Sequence, residues 1–139
     1  GRGPPDGVAR HILMIEGVVD HYILTPIANS TALSLGLDLA GPELTSTIPE
    51  LADFDPLSKV LDLDGRAVIG LPAAGNVVRQ GGSPSTAVVV QHPEDGFQDG
   101  HEAVFQSGAA KHQYRCFLQS LAKGTPKVPA GADEEAPCN

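Results

Sequence analysis

Two short runs carry most of the apolar signal in the chain. Ile12 to Ile15, inside HILMIEGVVDHYILTP, and Val88 to Val90, inside STAVVVQ, are continuous rather than alternating. Continuity of this kind predicts strands buried on both faces, over residues 10–16 and 85–91. A helix is predicted after the first strand. Thr25 can cap it, Pro26 fits its first turn, and Ala28, Ala32, Leu35 and Leu39 recur at helical spacing. Gly36 weakens its interior, and Gly41-Pro42 ends it. Strand, turn and helix in that order predict an α/β sheet.

Residues 43–56 have no clear period and read as a loop with at most one helical turn. In KVLDLDGRAVIG, apolar residues flank Asp64-Gly65 on both sides, which predicts a β-hairpin over Val60–Ile69. The DLDG stretch lacks the further oxygen ligands and distal Glu of a calcium-binding EF-hand loop. RQGGSP, residues 79–84, is a loop, and EDGFQDGHEAVF continues from the second strand as a glycine-punctuated acidic segment. A last helix is predicted over about residues 109–122, with Tyr114, Phe117, Leu118 and Leu121 as its apolar stripe and Gly124 closing it. Residues 125–139 form a Pro-, Ala- and acid-rich tail expected to lie over the surface.

Charge narrows the function classes. Nine basic residues stand against seventeen acidic ones, a formal net charge of −8. That excludes an electrostatic footprint for DNA or RNA and disfavours an anionic membrane surface. No stretch approaches the roughly 20 apolar residues that span a bilayer. The opening GRGPPDGVAR has no Met and reads as a linker, so the chain is expected to be a piece of something longer. The two cysteines, Cys116 and Cys138, form no C-x-x-C pair. They are either a bridge tying the tail to the last helix, as an oxidising compartment would allow, or two free thiols.

The chemistry gathers at the strand ends. Asp20 follows the first strand, and His101 lies in the loop after the second. Sites in open α/β sheets form outside the carboxyl ends of the strands, so parallel neighbours would bring both residues to one edge. A carboxylate accepting from one imidazole nitrogen leaves the other free as a general base, the acid and base half of a Ser-His-Asp triad. His21, beside Asp20, is a supporting or structural candidate. His92 precedes a proline and is expected to end a strand; His112 is expected on the surface of the last helix. His92, Glu94, Asp95, Asp99, His101 and Glu102 crowd one segment, which leaves calcium or zinc binding as an alternative. A non-catalytic interaction domain is the other.

HILMIEGVVDHYILTP resembles the strand-then-acid segment of the α/β-hydrolases, and AVVVQHPEDGFQDGHEAVF resembles their last strand and the loop bearing the triad histidine. The likeness covers residues 10–42 and 85–122. It implies Asp20 as the triad acid, His101 as the base, and no cofactor or metal. The chain has no G-x-S-x-G nucleophile elbow, and Ser83 and Ser107 fall after Asp20, out of the family order. The resemblance therefore implies the C-terminal part of an α/β-hydrolase sheet with flanking helices over residues 1–124, residues 43–84 being an insertion that carries the hairpin. The implied activity is hydrolysis of a carboxylic ester. Its serine would come from an upstream segment or a second chain, in an extracellular or cell-surface setting.

Overall fold

The computed structural model describes residues 10–78, 82–96 and 99–138; the predicted linker before Arg10 and the start of the 79–84 loop lie outside them. In chain order the elements are β1 (Ile12–Gly17), α1 (Thr25–Leu35), β2 (Asp38–Ala40), α2 (Leu57–Asp62), β3 (Val68–Ile69), β4 (Ala73–Ala74), β5 (Ala87–His92), α3 (Ala103–Gln106), α4 (Gly108–Leu121) and β6 (Lys127–Val128). Strands β1, β5, β2 and β3 form a parallel sheet in that order, while β4 and β6 pair antiparallel in a small second sheet.

The run STAVVVQ becomes the interior strand. All six residues of β5 are buried. Ala87 and Val89 face a cluster with Leu39, Ala32 of α1, and Leu57 and Leu61 of α2. Val88 and Val90 face the other way, against Phe117 of α4 and Val128 of β6. The result is a helix–sheet–helix sandwich around one strand. β1 pairs with β5 in parallel from Ile12 opposite Ala87 to Gly17 opposite His92, which brings the two carboxyl ends level. Among the described residues β1 has a strand on one side only, and four of the five residues before Gly17 stay half-buried.

Several expectations change. The predicted hairpin is absent. Leu57 and Leu61 are fully buried at helical spacing, so α2 occupies the segment before Asp64, and β3 runs parallel to β2. Asp64-Gly65 closes a helix instead: Gly65 has φ 65°, the Arg66 amide donates to Leu61 O (3.0 Å) and the Gly65 amide to Asp62 O (3.0 Å). This is the double bond of a Schellman cap, for which a left-handed glycine is suited. Gly36 does the same for α1, with φ 67° and a Leu37 amide bond to Ala32 O (3.1 Å). Leu39 is therefore a strand residue, and α1 stops before Gly41-Pro42. Thr25 does not cap α1. Leu24 occupies that position without a side-chain bond. Residues 43–56 hold two short 3₁₀ turns, Thr45–Thr47 and Pro49–Leu51.

The tail is part of the fold. Pro126, Val128 and Pro129 are buried, and Cys138 is disulfide-bonded to Cys116 of α4. Arg115 donates to the Glu134 and Ala136 carbonyls, Lys111 pairs with Glu134 at 3.0 Å, and Gln113 donates to Pro129 O at 3.0 Å. The expected stripe on α4 shifts accordingly. Ala110, His112, Gln113, Cys116 and Phe117 are buried under the sheet and tail, while Leu118 and Leu121 are exposed. His112, expected on the surface, is 3% exposed, its ring between the Ala130 and Pro137 carbonyls.

A bridge spanning 22 residues lowers the entropy of the unfolded chain; the chain-entropy model puts this at about 3 kcal/mol. The Cys116→Ser/Cys138→Ser double variant should lose about that much stability in urea unfolding. The unreduced wild type should yield no alkylated thiol in mass spectrometry.

Candidate acid–base site

The site begins with two glycines in contact. A Cβ on Gly17, the last residue of β1, would sit 1.8 Å from the Gly100 carbonyl oxygen, and a Cβ on Gly100 would sit 2.2 Å from that of Val18. No other residue permits this approach of backbones. The Gly100 amide donates to Val19 O at 3.3 Å, and the Val18 amide to His92 O at 2.9 Å. Val19 has φ 62°, a left-handed conformation that costs a β-branched residue about 1–3 kcal/mol. The turn after β1 is thus strained where it delivers Asp20 to the loop after β5.

Across that contact, His101 Nδ1 lies 3.1 Å from Asp20 Oδ2. Asp20 is held from its other side, where Oδ1 accepts the Tyr22 amide (2.7 Å) and the Ile23 amide (2.8 Å). Its side chain is 10% exposed, that of His101 37%. The carboxylate is therefore fixed by backbone, and a neutral ring bonded to it through Nδ1–H leaves the Nε2 lone pair available. The Tyr22 ring packs on the His101 ring, centroids 4.9 Å apart and tilted by 43°.

Asp99 supports this arrangement. It caps the 3₁₀ turn Gly100–Glu102 by accepting the His101 amide at 2.9 Å, and it accepts both the His21 amide (3.1 Å) and the His21 ring at Nδ1 (2.5 Å). The His101 amide, then the His21 ring and amide, hold the Asp99 carboxyl below the usual carboxylate range. His21 is thus one step removed from Asp20, tied to the loop that carries His101. Its side chain is mostly exposed.

A second polar group lies earlier on β1, on the side of the sheet that α1 and α2 cover. Glu16, adjacent to Gln91 in the β1–β5 register, is 3% exposed. Its Oε2 accepts from Gln91 Nε2 at 3.2 Å, while its buried Oε1 has no partner. Gln91 also donates to Thr45 Oγ1 (3.0 Å) and accepts the Leu44 amide (2.7 Å). Burial pushes the Glu16 carboxyl up to about 7; the Gln91 bond opposes this and nearby Glu43 adds to it.

The remaining candidates are dispersed. His92 ends β5, buried, and bonds Gln113 Oε1 through Nε2 at 2.8 Å; burial lowers its proton affinity. Ser107 caps α4 through the Ala110 amide, which leaves it a structural role. Among the described residues the 92–102 segment gathers no three His, Cys or carboxylate ligand atoms in one place; the one such group is His112 with the bridged Cys116 and Cys138. No helix is long and apolar enough to cross a membrane among the described residues. Asp20 and His101 were readable in sequence as strand-end residues. The Gly17–Gly100 contact, the role of Asp99 and the Glu16–Gln91 pair were not, because each depends on which backbones meet. No protein-family model, curated protein or solved structure matches the chain.

Glu16 makes stability depend on pH. Its folded value, about 7, exceeds the ordinary 4.5, so between them the unfolded chain is ionised while the folded one keeps its proton. The contribution is full below 4.5 and lost as pH rises through 7, a fall of about 3 kcal/mol. Glu16→Gln keeps an acceptor for Gln91 and removes the titration. Its advantage over wild type in denaturant unfolding should grow from pH 4.5 to 7 and then level off. Equal pH dependence in the two proteins would contradict it.

Proposed function

We propose that the chain is the acid and base half of a serine hydrolase acting on carboxylic esters, with the nucleophilic serine supplied by an upstream segment or a second chain. The observation that carries the reading is the Asp20–His101 bond at the level ends of two parallel strands, with Asp20 anchored by backbone amides. In this reading Asp20 fixes the tautomer of His101, and His101 Nε2 takes the serine proton and later returns it to the leaving alcohol. His21 acts as a positioning residue through Asp99.

The open side of β1 supports a polypeptide partner. Among the described residues β1 pairs on one side only, and such an edge offers its amides and carbonyls as a template for an added strand. Exposed Tyr22, Ile23, Leu24 and Ile27 follow Asp20 directly, and Phe105 follows His101, so apolar surface surrounds the pair. Such surface suits both a covering segment and an acyl chain. The disulfide agrees with an extracellular or cell-surface setting. An interaction domain would use the same apolar surface, but it gives no reason for an anchored carboxylate–imidazole pair.

The test is a fluorophosphonate probe applied to the natural preparation. Label should fall on the upstream segment or partner chain and vanish in a folded His101→Ala variant. Asp20→Asn should lower turnover of an activated ester by about four orders of magnitude. Labelling and ester turnover by the 139-residue chain alone would overturn the reading, because one of its own serines would then be the nucleophile.

A further inference from the structure

Glu16 does more than titrate. Its bond to Gln91, and the bonds from Gln91 to Thr45 Oγ1 and the Leu44 amide, make one chain from β1 across β5 to the start of segment 43–54. The far end of that segment reaches the acid–base site: Glu50, Leu51 and Phe54 line, with Val19, Asp20 and His21, a cavity of about 180 Å³. Glu16 and Asp20 also line a neighbouring cavity of about 190 Å³ along β1.

The charged groups around Glu16 are acidic. Glu43, at the start of the segment, opposes its ionisation and has a buried Oε1 without a partner of its own. Asp20 shares its cavity. From β5 comes only the neutral Gln91, since His92 points to the opposite face against Gln113. Helix α1 carries no charged residue. With Glu16 neutral, one carboxylate faces one carboxylic acid. With Glu16 ionised, its buried charge adds to that of the partly buried Glu43, and each carboxylate has one buried oxygen lacking a donor, although Glu43 Oε2 accepts from Ser46. Hydration relieves both, and lifting segment 43–54 from the sheet would admit the water to both oxygens.

We propose that Glu16 is a positioning residue whose proton keeps segment 43–54 seated beside Asp20, so that loss of the proton lifts the segment and widens the approach to Asp20 and His101. That this approach leads to a reactive site rests on the hydrolase reading; the movement does not.

The experiment is amide hydrogen exchange at Leu44, whose N–H is held by Gln91, in the whole protein between pH 6 and 8.5. After correction for intrinsic exchange, wild-type protection should fall by about tenfold over that range. In Glu16→Gln it should stay flat, and in Glu43→Gln the fall should move to lower pH. Should Glu16→Gln not fold, the Glu43→Gln shift and a carboxyl ¹³C titration of Glu16 in the wild type decide the matter. Constant wild-type protection, a parallel fall in Glu16→Gln, or a Glu16 carboxyl already ionised at pH 6 would overturn the proposal. None of these outcomes depends on ester hydrolysis, so they leave the hydrolase reading to its own probe.

Discussion

Everything at the upper edge of the sheet depends on the contact between Gly17 and Gly100. With a Cβ on either residue lying 1.8–2.2 Å from a carbonyl oxygen, the loop after β5 could not close over the end of β1. Because it closes, Asp99 can cap the turn that bears His101, the Gly100 amide can bond Val19, and His101 meets Asp20 at 3.1 Å. The parallel register of β1 and β5 makes the ends level; the glycine pair converts level ends into touching ones. Helix packing on either face supplies the stability that holds a β-branched residue at φ 62° just before Asp20.

Several of the conformational and polar irregularities of the described chain lie on β1, the turn after it and α1. Val19 is strained, Glu16 is buried with an orphan oxygen, and Thr25 and Asn29 of α1 are buried with unpartnered side-chain oxygens. Other positions obey local rules: Gly36 and Gly65 cap their helices, Ser107 caps α4, and β5 is uniformly apolar until Gln91. Among the described residues β1 pairs on one side only, with exposed Ile23 and Ile27 nearby, an edge that the proposed partner would cover.

Parts of this were legible in the amino-acid sequence for definite reasons. Continuous apolar runs identified β1 and β5, and a strand ending in Asp or leading to His placed Asp20 and His101 at one edge once the strands were parallel neighbours. Asp64-Gly65 misled because apolar flanks serve a hairpin and a Schellman-capped helix equally. The burial of Leu57 and Leu61 decides for the helix, and burial is a tertiary fact. The face of α4 misled for a related reason. Its buried residues include His112 and Gln113, whose partners are tail carbonyls more than a dozen residues away, so polarity there marks the interior. Asp99 was visible only as one acid among several, since its function lies in the amides it accepts.

The most direct test is ¹⁵N NMR of the His101 imidazole in the neutral state. A ring bonded to Asp20 through Nδ1 should carry its proton there, with Nε2 unprotonated, and the preference should disappear in Gly100→Ala, where the loops can no longer touch. A neutral ring protonated at Nε2 in the wild type, or a tautomer mixture unchanged by Gly100→Ala, would contradict the claim that the glycine contact sets His101 against Asp20 as a base.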